Sequence, residues 1–238
     1  MRSTTSVLTA MALAVAAGAN ISSAALLYGG GTETASRFNP GAGAITYMNC
    51  FTAVTPAQTQ LVVTNVVVGI RRLTVSGSLV DVGINIYAAQ MTWDGTTLGR
   101  GANHLIYSQA SLGGGAATIT QLVNTGPISS PAINLELATN PGLGGWWIGV
   151  EFTGVNAGDA NNGWRVTNAP TTGASINGFG IYNNAGSGVF QALFGFGTPA
   201  GSSPSRFLTN VEGNLVPAPG SLALIGLGGL VAARRRRA

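Results

Sequence analysis

The chain has 238 residues, with eleven arginines, no lysine, seven acids and a formal net charge of +4. Hydrophobic residues make up 45% and charged residues only 8%, which excludes an intrinsically disordered chain. The positive charge sits at the ends: residues 25–215 carry six arginines against seven acids, so they hold no basic patch for nucleic acid.

The N-terminal residues read as a secretory signal. Arg2 is a small positive start, residues 7–19 are apolar, and Ser22-Ser23-Ala24 supplies the small residues that signal peptidase accepts. Cleavage is expected after Ala24, with Ala25 as the alternative. Residues 1–24 are therefore a signal peptide and its helix. There is no twin arginine and no cysteine at the cleavage point, so the general secretion route fits and a lipoprotein does not.

Residues 25–215 form one domain in this reading. They are rich in Gly, Val, Ile, Thr, Ala and Asn, and alternation with a period of two recurs along them. Residues 45–54 are strand-like and hold Cys50, the one cysteine. It forms no intrachain disulfide and reads as a buried, inert thiol. Residues 61–73 are β-branched, with a break expected near Asn65. In residues 79–88, Val80, Val82, Ile84, Ile86 and Ala88 share one face. Asp94-Gly95 is a two-residue hairpin signal. Strands are expected at 105–112 and 117–123, then at 132–138 with Ile133, Leu135 and Leu137 together. At 146–153, Trp146, Ile148, Val150 and Phe152 make a core face. Asn162-Gly163 and Asn177-Gly178 read as further turns, around strands at 164–168 and 175–182. Residues 189–197 give a stripe of Phe190, Phe194 and Phe196, and 206–211 a last strand.

No segment between the two ends has a helical period. The expectation is an all-β fold, a two-sheet antiparallel β-sandwich of jelly-roll or immunoglobulin-like kind, flanked by the signal helix and a C-terminal hydrophobic helix.

Catalytic chemistry is poorly supported. His104 is the one histidine, there is no Gly-x-Ser-x-Gly elbow, and one His with one Cys has no zinc-ligand spacing. His104 reads as a solvated or capped residue at a strand start. Asp94 is explained by its turn, and Asp81 and Glu136 by polar strand faces. No pair of carboxylates is nominated for glycoside hydrolysis, so a hydrolase is the weakest alternative.

A binding platform is the more concrete option. Trp147, Gly149 and Glu151 share the face opposite the core, and Trp164 follows a polar loop. An exposed indole beside a carboxylate suits a sugar, whose C–H face stacks on the ring while its hydroxyls donate to the carboxylate. The alternative is that Trp147 packs under a loop. Asp159 and Asn161 carry oxygens of the kind Ca²⁺ takes, although their spacing does not match a calcium loop. No other cofactor is expected.

The end of the chain has three parts. Val216, Pro217, Ala218, Pro219 and Gly220 form a rigid break, because proline fixes φ and disfavours a helix before it. Residues 221–233 are almost wholly apolar and would rise about 20 Å as a helix, a marginal span. Arg234, Arg235, Arg236 and Arg237 then form a basic stop that favours the cytoplasmic side.

These 23 residues resemble the PEP-CTERM sorting signal of exported bacterial proteins, with Ala218 where that motif usually has Glu. The resemblance implies transient insertion in the inner membrane, then processing near the Pro-x-Pro motif by an exosortase, a membrane-embedded cysteine transpeptidase. A plain C-terminal anchor needs the same kind of segment. The expected partners are signal peptidase, the exosortase-type enzyme, and exopolysaccharide or neighbouring surface proteins. The expected destination is the cell surface or the extracellular matrix. The expected role is non-enzymatic binding or scaffolding, with a carbohydrate-binding module as the alternative.

Overall fold

The computed structural model describes residues 24–72, 82–113, 119–137, 142–154, 157–158, 162–175, 179–183, 189–193 and 206–217. Every regular element among them is a strand, and every pairing is antiparallel. The strands build two curled sheets.

The first sheet runs β1 (Ala25–Gly29), β14 (Thr209–Pro217), β4 (Gln58–Arg72), β10 (Asn162–Thr167) and β13 (Arg206–Phe207). Strand β2 (Glu33–Phe38) also pairs with β10, while β7 (Ile119–Asn124) and β8 (Ile133–Asn134) pair with β4. The second sheet runs β12 (Phe190–Leu193), β11 (Phe179–Asn183), β3 (Ala44–Ala53), β9 (Leu143–Thr153), β5 (Gly83–Trp93) and β6 (Leu98–Gln109).

The long strand β4 is the spine of the first sheet. Its buried side chains switch parity, from Leu61 and Val63 to Val66, Val68 and Ile70. The cause is a bulge: Asn65 lies opposite Glu212, but Val63 lies opposite Gly213, so Thr64 is an extra residue. A bulge of this kind bends and twists the strand without ending it. The break expected near Asn65 is this bulge.

One large apolar cluster draws on both sheets. It joins Val66, Val68, Ile70, Trp164 and Phe207 of the first to Met48, Cys50, Ile84, Ile86, Trp146 and Ile148 of the second. Each such side chain contributes about 1.5–3 kcal/mol when fully buried. The expected core faces are found here: Val82, Ile84, Ile86 and Ala88 are buried, as are Trp146, Ile148, Val150 and Phe152.

Several local expectations are corrected. The β5–β6 connection spans residues 94–97, because Trp93 pairs with Leu98. Asp94 Oδ1 still organises it, accepting from the backbone N–H groups of Thr96 and Thr97 and from the Thr96 hydroxyl. Asn162-Gly163 is not a turn; both residues lie in β10, opposite Arg72 and Arg71. Strands β1 and β2 precede the first expected strand. His104 lies inside β6, opposite Ala88, rather than at its start. Asp81, Phe194, Phe196, Asn177-Gly178 and the segments expected to form the two terminal helices lie outside the described residues.

Candidate functional site

The second sheet buries side chains on both faces. Its far face carries a separate cluster of Ile45, Tyr47, Phe51, Ala89, Met91, Leu98 and Trp147. Curl is what covers it. Arg100 on edge strand β6 places its guanidinium 4.5 Å from the ring centre of Tyr182 on β11, at the opposite side of the sheet. It also lies 5.3 Å from the ring centre of Tyr47. Strand β6 touches β12, the other edge strand.

Glycines make room for the rings. A Cβ at Gly149 would lie 2.7 Å from Tyr47 Cε1, and one at Gly180 would lie 2.3 Å from Phe190 Cε2. Side-chain-free positions thus let Tyr47 and Phe190 lie flat against the sheet. Tyr47, Trp147 and Phe190 then meet edge to face, with centroids 5.4–6.5 Å apart. Such pairs contribute about 0.5–1.5 kcal/mol each beyond burial.

This geometry corrects the expected platform. Trp147 does share a face with Glu151, but only 1% of it is exposed, and its Nε1–H donates to Gly99 O at 2.9 Å. The gap at Gly149 is filled by Tyr47. Trp164 belongs to the other sheet: it is fully buried, stacked on Phe207 at 4.6 Å, with Nε1–H donating to Leu208 O. Neither indole offers a face to a sugar, and the two do not meet. Asp159 and Asn161 lie outside the described residues; among the described residues no three His, Cys, Asp or Glu side chains converge on a metal site.

Glu151 remains on the accessible margin of the curl, with partners that periodicity could not reveal. Its Oε2 accepts from Tyr87 Oη–H at 2.6 Å and from Asn85 Nδ2 at 3.1 Å. Burial, then the Glu151 hydrogen bond and charge, push the Tyr87 phenol up to about 12. The Tyr47 phenol is raised further, mainly by burial and against the pull of Arg100; Glu151 also acts on it. Tyr182, Ile45 and Glu151 lie opposite one another in register, so Glu151 shares a face with Tyr182 and Tyr47, the two rings that Arg100 touches. Arg100 Nε and Tyr47 Oη are buried with no hydrogen-bond partner among the described residues.

Cys50 and the Glu33–Arg165 pair are structurally committed. Cys50 is a free thiol, fully buried, and burial pushes its pKa well up. Glu33 pairs with Arg165. Val216 and Pro217 lie in β14, opposite Gln60 and Gln58. The strand thus runs two residues past the expected domain end, and a proline at its terminus gives up no further ladder bond. Ala218, Pro219, Gly220 and the arginines at 234–237 lie outside the described residues. Comparison with protein-family models, with curated proteins and with solved structures finds no match to this chain.

Proposed function

We propose that the chain is an exported bacterial surface or extracellular-matrix protein, sorted through a PEP-CTERM-like tail, whose β-domain binds or scaffolds without catalysis. Signal peptidase removes residues 1–24. The C-terminal helix holds the chain briefly in the inner membrane. An exosortase-type transpeptidase then acts near Pro217–Gly220, and the domain passes to the surface, where exopolysaccharide and neighbouring proteins are its partners. The two curled sheets are read as a sandwich of the jelly-roll kind, since immunoglobulin-like domains use fewer strands.

One observation carries the reading beyond the sequence of the two ends. β1 begins at Ala25, the residue that signal cleavage would leave first, and it pairs with β14, which runs into the tail motif. Ala25 lies opposite Gly213, and β14 continues to Pro217, about 13 Å further at roughly 3.3 Å per residue. Both membrane-directed segments thus leave the domain at the same end of one strand pair. This arrangement suits a domain whose two ends both lead to one bilayer.

Pulse-labelling with cell fractionation tests the reading. Newly made chain should cross to the inner membrane, then move to the surface fraction. With Arg234–Arg237 replaced by serine, the membrane-held stage should shorten or vanish. A chain that stays in the cytoplasm in both forms overturns the proposal.

A further inference from the structure

Arg100 is held in an unusual way for a half-buried cation. Its guanidinium is flanked by two phenol rings, at 4.5 Å (Tyr182) and 5.3 Å (Tyr47). Cation–ring contacts of this kind are worth about 0.5–2 kcal/mol and leave the in-plane N–H groups unused. Among the described residues no carboxylate pairs with it and no acceptor takes any of its N–H groups. Nε is buried, so the edge left for a ligand is the outer one, formed by the two Nη groups. That edge matches a carboxylate, which accepts two parallel N–H···O bonds.

The same locality holds an acceptor of fixed orientation. Glu151 spends Oε2 on Tyr87 and Asn85, while Oε1 accepts from no described residue. A site with one cationic fork, one free carboxylate oxygen and phenol rings selects a ligand with one anionic group and several hydroxyl donors. A phosphate diester or polyphosphate has the charge without the donors, and Glu151 would repel a dianion. A neutral sugar has the donors but leaves the fork unfilled.

We propose that the curl of the second sheet binds a uronate residue of an acidic polysaccharide, its carboxylate on Arg100, a hydroxyl on Glu151 Oε1 and its C–H surface against Tyr182. The inference rests on the non-enzymatic surface-binding reading and names its ligand class. Arg100 both anchors the ligand and selects the acid form; Tyr47 keeps the fork flat.

The test uses the mature protein recovered from the surface fraction, titrated with polygalacturonate, with its fully methyl-esterified form and with polyglutamate. Saturable binding of polygalacturonate is expected, weakened about tenfold or more by esterification, since a charge-assisted pair is removed. Polyglutamate, a carboxylate polymer without sugar rings, should bind at least about tenfold more weakly as well. Arg100→Gln, checked for its native near-ultraviolet spectrum, should lose about as much as esterification removes, and Arg100→Lys should fall between. No binding of polygalacturonate, equal binding of acid and ester, equal binding of polyglutamate, or full binding by folded Arg100→Gln overturns the proposal. If Arg100→Gln does not fold, the acid–ester comparison on the unaltered chain decides. None of these outcomes alters export or tail processing, which are read separately by fractionation and mass.

Discussion

Tyr87 donates its phenolic proton to Glu151 Oε2 over 2.6 Å, from β5 to its neighbour β9. The bond exists only while Tyr87 is protonated, and its pKa is raised from 10.0 to about 12. A raised folded-state value means stability that is fully present below the unfolded value and lost as pH rises through the folded one. Tyr28 and Tyr47 are raised in the same sense, chiefly by burial. Denaturant melts from about pH 8 to about pH 12 should show constant stability up to about pH 10, then a fall. Tyr87→Phe should make that fall shallower. A profile flat through about pH 12 would contradict the assignment.

Gly149→Ala should destabilise the domain by about 1–3 kcal/mol, the usual cost of overpacking a filled core. The added methyl would meet Tyr47 Cε1 at 2.7 Å, and that ring is pinned between Trp147, Phe190 and Arg100. Equilibrium urea melts report the change; an unaltered midpoint would show that Tyr47 can move aside.

Trp164→Ala should cost about 3–5 kcal/mol, because the indole fills space between the sheets and stacks on Phe207. The milder Trp164→Phe should leave polygalacturonate titrations unchanged. Weaker binding by a folded Trp164→Phe protein would return Trp164 to the ligand site.

Cys50 should be silent in the native state. With the thiol fully buried and its pKa pushed up, a thiol-specific reagent at neutral pH should label it only on unfolding. Rapid stoichiometric labelling without denaturant would mean that β3 opens locally.

The parts legible in the sequence are those where one strand face meets the shared core. Ile84, Ile86 and Ala88, or Trp146, Ile148 and Val150, alternate cleanly because their opposite neighbours meet a different environment. Strands β1 and β2 are short pieces, ALLYG and ETASRF, without such contrast; pairing with β14 and β10 is what makes them strands. The far face of the second sheet was half legible. Period two places Trp147 and Glu151 together, but it cannot say that β6 and β12 curl over that face. The signal that points to the curl is glycine: Gly145, Gly149 and Gly180 clear the space where Phe51, Tyr47 and Phe190 lie. Arg100 could not be placed from sequence, because its ring partners Tyr47 and Tyr182 come from strands distant along the chain.

The measurement that bears most directly on the central claim is the intact mass of the protein recovered from a surface fraction. Export and tail sorting predict a chain that starts at Ala25 and ends near the Pro217–Gly220 motif, without the arginines at 234–237. A surface-located chain whose mass runs through Ala238 would contradict processing and leave a simple membrane anchor.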